Sequence, residues 1–160
     1  DGRLRKLETQ PAAPSEASSE SSDTPNGAAE KKPASDPAAE THDYEAALNL
    51  FKANKIKDAA AAFEAFGSAY PESTLAPNAQ YWLGNAHYAL RDCKKSIEAH
   101  RVVVSKWPQN PKAPDSLINI ATCQQELGDA KGAKQSLETV LAKYPDSSAA
   151  STAKQRLKKK

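Results

Sequence analysis

Cys93, Cys123, His87 and His100 are the side chains of this sequence with the strongest intrinsic chemistry. A protein metal site takes three or four ligands. The two histidines would need a third, and Asp92 and Cys93 lie at the wrong end of the helical hairpin that carries them. The cysteines form no metal motif. A nucleophilic cysteine needs a base within reach, and no Cys–His–Asp spacing supplies one. A histidine pair can report pH, so such a response of His87 with His100 stands beside simple packing. Buried thiols act as small hydrophobes, with a Cys93–Cys123 disulfide as the alternative in an oxidising compartment. No phosphate loop, glycine fingerprint or Ser-x-x-Lys motif is present, and the acidic residues are scattered. Neither an enzyme nor a metal or cofactor site is expected.

The elements that hold these residues are set out by a repeat. Tyr70-Pro71, Trp107-Pro108 and Tyr144-Pro145 recur at a constant offset of 37 residues. A fixed period in this range marks a stacked repeat protein, whose repeats build a concave surface for a partner. Other positions keep the register: Tyr44, Tyr81 and Ile118; Ala47, Gly84 and Ala121; Ile56, Cys93 and Ala130; Ala59, Ser96 and Ala133; Phe63, His100 and Leu137. Small residues fall where two helices approach closely, and large ones where the space between them is filled. Ser73, Asn110 and Ser147 share one register and are good N-caps. The intra-repeat turns read Asn54-Lys55, Arg91-Asp92 and Gly128-Asp129, of which only the last has the glycine preferred at a helix C-terminus. Helices are expected at 43–54, 56–70, 74–90, 93–107, 111–127 and 130–144. A last one at 147–158 repeats part of the A-helix register and covers the open end of the stack.

Before residue 43 the composition changes. Residues 9–41 contain no aromatic residue and no Leu, Ile or Val, too little apolar area to offset ordering entropy, so 9–42 is expected to be a disordered Pro/Ser/Ala-rich linker. A chain of that length spans about 30–35 Å on average. Leu4 and Leu7 in residues 1–8 suggest the end of an upstream helix or coiled coil. The chain contains no Met, which reads as a processed product that began further upstream. Residues 1–42 carry a net charge of −3 and residues 43–160 a net charge of +5. The excess sits largely in Lys154, Arg156 and Lys158 to Lys160, a solvated helix end. No basic stripe with interleaved aromatics runs through the repeats, so nucleic acid is not an expected partner. No run of about 18 apolar residues is present, so no membrane insertion is expected.

Residues 43–160 resemble the tetratricopeptide repeat (TPR). Leu83-Gly84 supply the helix A signature with Tyr88 one place later than usual; the first repeat gives Ala59, Phe63 and Pro71, and the third Gly128, Ala133, Leu137 and Pro145. Each unit is about three residues longer than the common 34. The longer period, the Tyr-Pro-x-Ser and Ala-Pro spacing, and the low-complexity linker behind a helix end are similar to the periplasmic TPR proteins of the Tol–Pal system, the YbgF/CpoB type. The resemblance implies an all-α, right-handed TPR superhelix of three repeats plus a C-terminal capping helix. It also implies a periplasmic protein that self-associates through an upstream coiled coil and binds TolA, coordinating outer-membrane constriction with septal peptidoglycan synthesis. A general TPR scaffold of envelope assembly, of the outer-membrane-protein assembly lipoprotein type, is the alternative.

In TPR stacks the A helices line the concave groove. Carried over, this makes Tyr44, Leu48, Phe51, Asn78, Tyr81, Trp82, Asn85, Tyr88, Asp115, Ile118, Asn119 and Thr122 the expected partner-binding residues. Tyr81, Trp82 and Tyr88 with Asn85 are the sharpest of them, because rings beside an adaptable amide suit a peptide or helix. Packing of these rings between helices is the competing expectation. Asn85 and Asn119 fit part of a carboxylate clamp, but Asp115 and Asn119 stand where its basic residues would be needed. Capture of a C-terminal carboxylate is therefore not expected, and apolar and amide contacts are.

Overall fold

The structure, a computed structural model, describes residues 36–159. Seven helices follow one another: α1 (Pro37–Lys52), α2 (Ile56–Ala69), α3 (Ala76–Ala89), α4 (Cys93–Lys106), α5 (Lys112–Glu126), α6 (Ala130–Lys143) and α7 (Ser148–Lys159). The described residues contain no strand. Residues 1–8 and most of the linker lie outside them. Helix α1 starts at Pro37 instead of residue 43. Pro37 suits a first helical position, Ala38 and Ala39 are strong helix formers, and Glu40 places a carboxylate in the first turn. Once a helix has nucleated, such residues extend it without any apolar burial.

The two kinds of joint repeat as the sequence does. At the A-to-B turns Asn54, Arg91 and Gly128 take positive φ angles of 67, 67 and 86°. Lys55, Asp92 and Asp129 donate their N–H groups to the carbonyls of Leu50, His87 and Gln124, and the residues before them donate to Phe51, Tyr88 and Gln125. Each turn is thus a Schellman motif, in which a left-handed residue lets two orphan helix carbonyls find donors. Asp92 and Asp129 then cap the following helices through Lys95 N (3.1 Å) and Gly132 N (2.9 Å); Lys55 has no such side-chain bond.

At the B-to-A joints Tyr70, Trp107 and Tyr144 share a φ of −131°, and each donates its N–H to the carbonyl four residues back. Ser73, Asn110 and Ser147 donate to the carbonyls of these aromatics. Ser73 Oγ accepts from Leu75 N (3.0 Å) and Asn110 Oδ1 from Lys112 N (2.8 Å), closing a turn at the entry to α3 and α5, whereas Ser147 Oγ accepts from Ala150 N (3.1 Å), three residues on, and caps α7. Helices α3 and α5 therefore begin two and one residues later than expected, because the side-chain bond serves this tight turn first, while α7 begins at Ser148 directly behind its expected cap.

Each helix packs on the next, and α5 also packs on α3 and α7. The A helices are the closer-set layer. Ala47, Ala59, Phe63, Phe66, Ala79, Leu83 and Ala86 form one core. Ile97, Leu117, Ile120, Cys123, Leu137, Val140, Ala150 and Ala153 form the second. Phe63 and Leu137, at 1 and 2% exposure, fill the centre of the first and third repeats, and His100, at 0%, occupies the same register in the second.

Candidate functional site

The A helices carry rows of side chains one period apart. Tyr44, Tyr81 and Ile118 form one row; Leu48, Asn85 and Thr122 another; Phe51, Tyr88 and Gln125 a third. Among the expected rings, Tyr44 packs edge-on against Phe63 and Phe66 at centroid distances of 6.1 and 6.0 Å. Phe51 meets Trp82 at 5.3 Å, and Trp82 meets Tyr81 at 5.8 Å. Tyr44, Leu48, Phe51 and Trp82 are half-buried against the first core, so packing and an open face are both present in the same rings. Tyr88 is 41% exposed, and its hydroxyl donates to Glu126 Oε2 at 2.6 Å. Burial pushes the Tyr44 phenol up, partly offset by the neighbouring Asn78 and Trp82 side chains. Burial also raises Asp115, with Lys112 opposing the shift. Ile118 packs on the second core.

Amides join the second and third repeats. Asn119 Nδ2 donates to Asn85 Oδ1 at 3.1 Å and lies 3.5 Å from His100 Nε2. On the other side of that ring, Nδ1 is 3.1 Å from Ser116 Oγ. An amide nitrogen can only donate, so the Asn119 contact fits a neutral ring that accepts at Nε2 and gives its Nδ1 proton to Ser116 Oγ. Burial accordingly lowers the His100 pKa to about 4. A Cβ added at Gly84 would stand only 2.4 Å from His100 Nε2, so the glycine makes room for the ring. His87 does not share this site. It lines a cleft with Glu64, Gln80, Lys95 and Glu98, and the sequence-level pairing of the two histidines is not formed.

Two residues absent from the expected set, Arg156 and Lys112, belong to this face beside Glu126. Arg156 of α7 reaches back to α5, donating from Nη1 to Thr122 Oγ1 (2.9 Å) and from Nη2 to Gln125 Oε1 (2.8 Å). Lys112 Nζ lies 4.5 Å from the Tyr81 ring centroid, a cation–π distance. Glu126 anchors Tyr88. Arg156 stands one period after Asn119 and two after Trp82, so adding 37 once more locates it. The capping helix thus brings a basic side chain to the end of this face, although the clamp positions themselves hold Asp115 and Asn119. The face runs from rings at α1 and α3, through amides at α3 and α5, to a guanidinium at α7. Cys93 and Cys123 are both buried with free thiols.

Helical hairpins stacked at a fixed period define a helical repeat protein of the TPR class. A family model described as "YfiO: Outer membrane lipoprotein" matches residues 37–159, and the chain belongs to that family. It is also similar to cell division coordinator CpoB of Pseudomonas putida, 47% identical over 57 residues, covering 36% of this chain and 21% of that protein. CpoB of Escherichia coli K12 is 47% identical over 47 residues, 29% of this chain and 18% of that one. The matched stretch thus spans about a fifth of the curated relatives. Among solved structures, PcrH in complex with the chaperone binding region of PopB superposes with a TM-score of 0.64 at 18% identity, covering 78% of this chain and 96% of PcrH. A tetratricopeptide repeat protein from Parabacteroides merdae superposes with 0.60 at 17% identity, covering 68% of this chain and 41% of that one. These likenesses establish the TPR-like fold. No helix among the described residues is long and apolar enough to cross a membrane.

Proposed function

We propose that this chain is a non-enzymatic, periplasmic adaptor of the cell envelope. Its A-helix face binds a segment of TolA, and it helps to coordinate outer-membrane constriction with septal peptidoglycan synthesis in cell division. The observation that carries the reading is the graded A face, where Phe51 and Trp82 lead through Asn85 and Asn119 to Arg156. Half-buried rings beside amides with spare hydrogen-bonding capacity suit the side chains and backbone of a docked segment. The local similarity to CpoB supplies the cellular context. PcrH, of similar fold, is described in complex with a binding region of another protein, which supports reading such a stack as a cradle. Self-association through a helix upstream would add avidity.

Calorimetric titration of the 160-residue chain with the periplasmic region of TolA tests the proposal. Saturable binding is expected, weakened at least tenfold by Tyr81→Ala/Asn85→Ala with the helical circular dichroism unchanged. Binding indifferent to that double substitution would move the site off the A face. A second reading, a general scaffold of envelope assembly, is favoured by the outer membrane lipoprotein family match; absence of TolA binding at high micromolar concentration would select it.

A further inference from the structure

Cys93 and Cys123 are given no part in the binding face, yet they lie in one buried cluster. Cys93 is the first residue of α4 and Cys123 lies on α5. The two helices pack along their length and belong to different repeats. The Cys123 thiol neighbours Cys93 and Ser96, and Cys93 Sγ lies 4.0 Å from Glu126 Oε1, whose other oxygen Tyr88 holds. In the sister repeats the Cys93 register holds Ile56 and Ala130, and the Cys123 register holds Ala86 one repeat earlier. Packing alone therefore needs no sulfur at either place.

We infer that Cys93 and Cys123 are the two halves of an intramolecular disulfide site that fastens α4 of the second repeat to α5 of the third. The oxidant is a disulfide, either glutathione disulfide or that of a dithiol oxidoreductase. Cys93, 8% exposed where Cys123 is 0%, is the entry point. Its thiolate attacks the incoming disulfide, giving a mixed disulfide and one released thiol. The Cys123 thiolate then attacks the Cys93 sulfur and expels the second thiol. Two electrons and two protons pass from the cysteines to the oxidant, which leaves as two thiols. Burial, with Cys93 alongside, pushes the Cys123 thiol up to about 12, so the second step is the slow one. The bond closes the chain between residues 93 and 123, restricting the unfolded ensemble, and fixes the angle between repeats that sets the shape of the A face.

The test uses the whole reduced chain and glutathione disulfide as the probe, applied both to the folded protein and during refolding from denaturant. The expected product is a monomer lighter by two hydrogens, with no thiol titratable in denaturant and a Cys93–Cys123 peptide on digestion. Its Tm should rise by roughly 10 °C and fall back with dithiothreitol. Cys93→Ala and Cys123→Ala, which copy the alanines of the sister repeats, should each keep one thiol and lose the rise. Two glutathione adducts, crosslinked dimers, or unchanged free thiols by both routes would overturn the inference.

Discussion

Gly84 and His100 should behave as a single unit, and a double-mutant cycle measures it. In the first and third repeats the corresponding pairs are Ala47 with Phe63 and Ala121 with Leu137, all buried. In the second, a Cβ at position 84 would meet Nε2, Cδ2 and Cε1 of His100 at 2.4, 2.5 and 2.7 Å. The ring is fully buried and held from both nitrogens, so it has nowhere to yield. Overpacking of this kind costs about 1–3 kcal/mol, against about 1 kcal/mol gained by replacing glycine with alanine inside a helix. Gly84→Ala alone is therefore expected to destabilise by about 1 kcal/mol. In a His100→Leu background, which imitates the third repeat, the same change should stabilise by up to about 1 kcal/mol, a coupling of about 2 kcal/mol. Urea unfolding followed by circular dichroism reads all four corners. A Gly84→Ala effect of the same sign and size in both backgrounds would refute the reasoning.

Two further outcomes follow from the same geometry. The unfolded chain protonates its histidines near the ordinary 6.5, whereas folded His100 does so only near 4, so its contribution to stability is intact above about pH 6.5 and is lost as pH falls towards 4. The loss is on the order of 3 kcal/mol; His100→Leu should flatten that part of a stability-versus-pH curve, and an unchanged slope would count against the buried neutral ring. Arg91 holds a φ of 67°, which costs a side-chain-bearing residue about 1–2 kcal/mol, so Arg91→Gly, matching Gly128, should raise stability by about 0.5–1 kcal/mol after the extra unfolded-state entropy is counted. A thermal melt that is lower for Arg91→Gly than for the parent would contradict this.

Period and fold are legible because each repeat needs the same small and large residues at the same joints. Ala47, Gly84 and Ala121 and the Tyr-Pro and Trp-Pro closures give the hairpin stack directly. The start of α1 is not legible, since residues 37–42 carry no apolar pattern and become helical through local propensity and continuity with the packed part. The A face is legible as a set of positions, but not the way its members divide between packing and exposure, which depends on contacts across helices. The match of Gly84 to His100 is such a contact, and so is the bridge from Asn119 to Asn85. Arg156 is hidden for another reason. It sits in a lysine-rich end that reads as a solvated helix terminus, and only its place in the period, after Trp82 and Asn119, reveals that it turns inward.

The joints at Tyr70, Trp107 and Tyr144, with ψ values of 61, 59 and 54° at a shared φ, are copies of one hinge set to one angle. Repeating one rigid motion puts the curvature of the stack in the backbone angles of its two kinds of joint, and its reach in how many times that motion is applied. Mutation and selection can then lengthen or shorten such a chain by whole units without renegotiating its geometry, as rungs are added to a spiral stair. The aromatic before each proline is in that sense a gauge block: altering one would tilt everything beyond it.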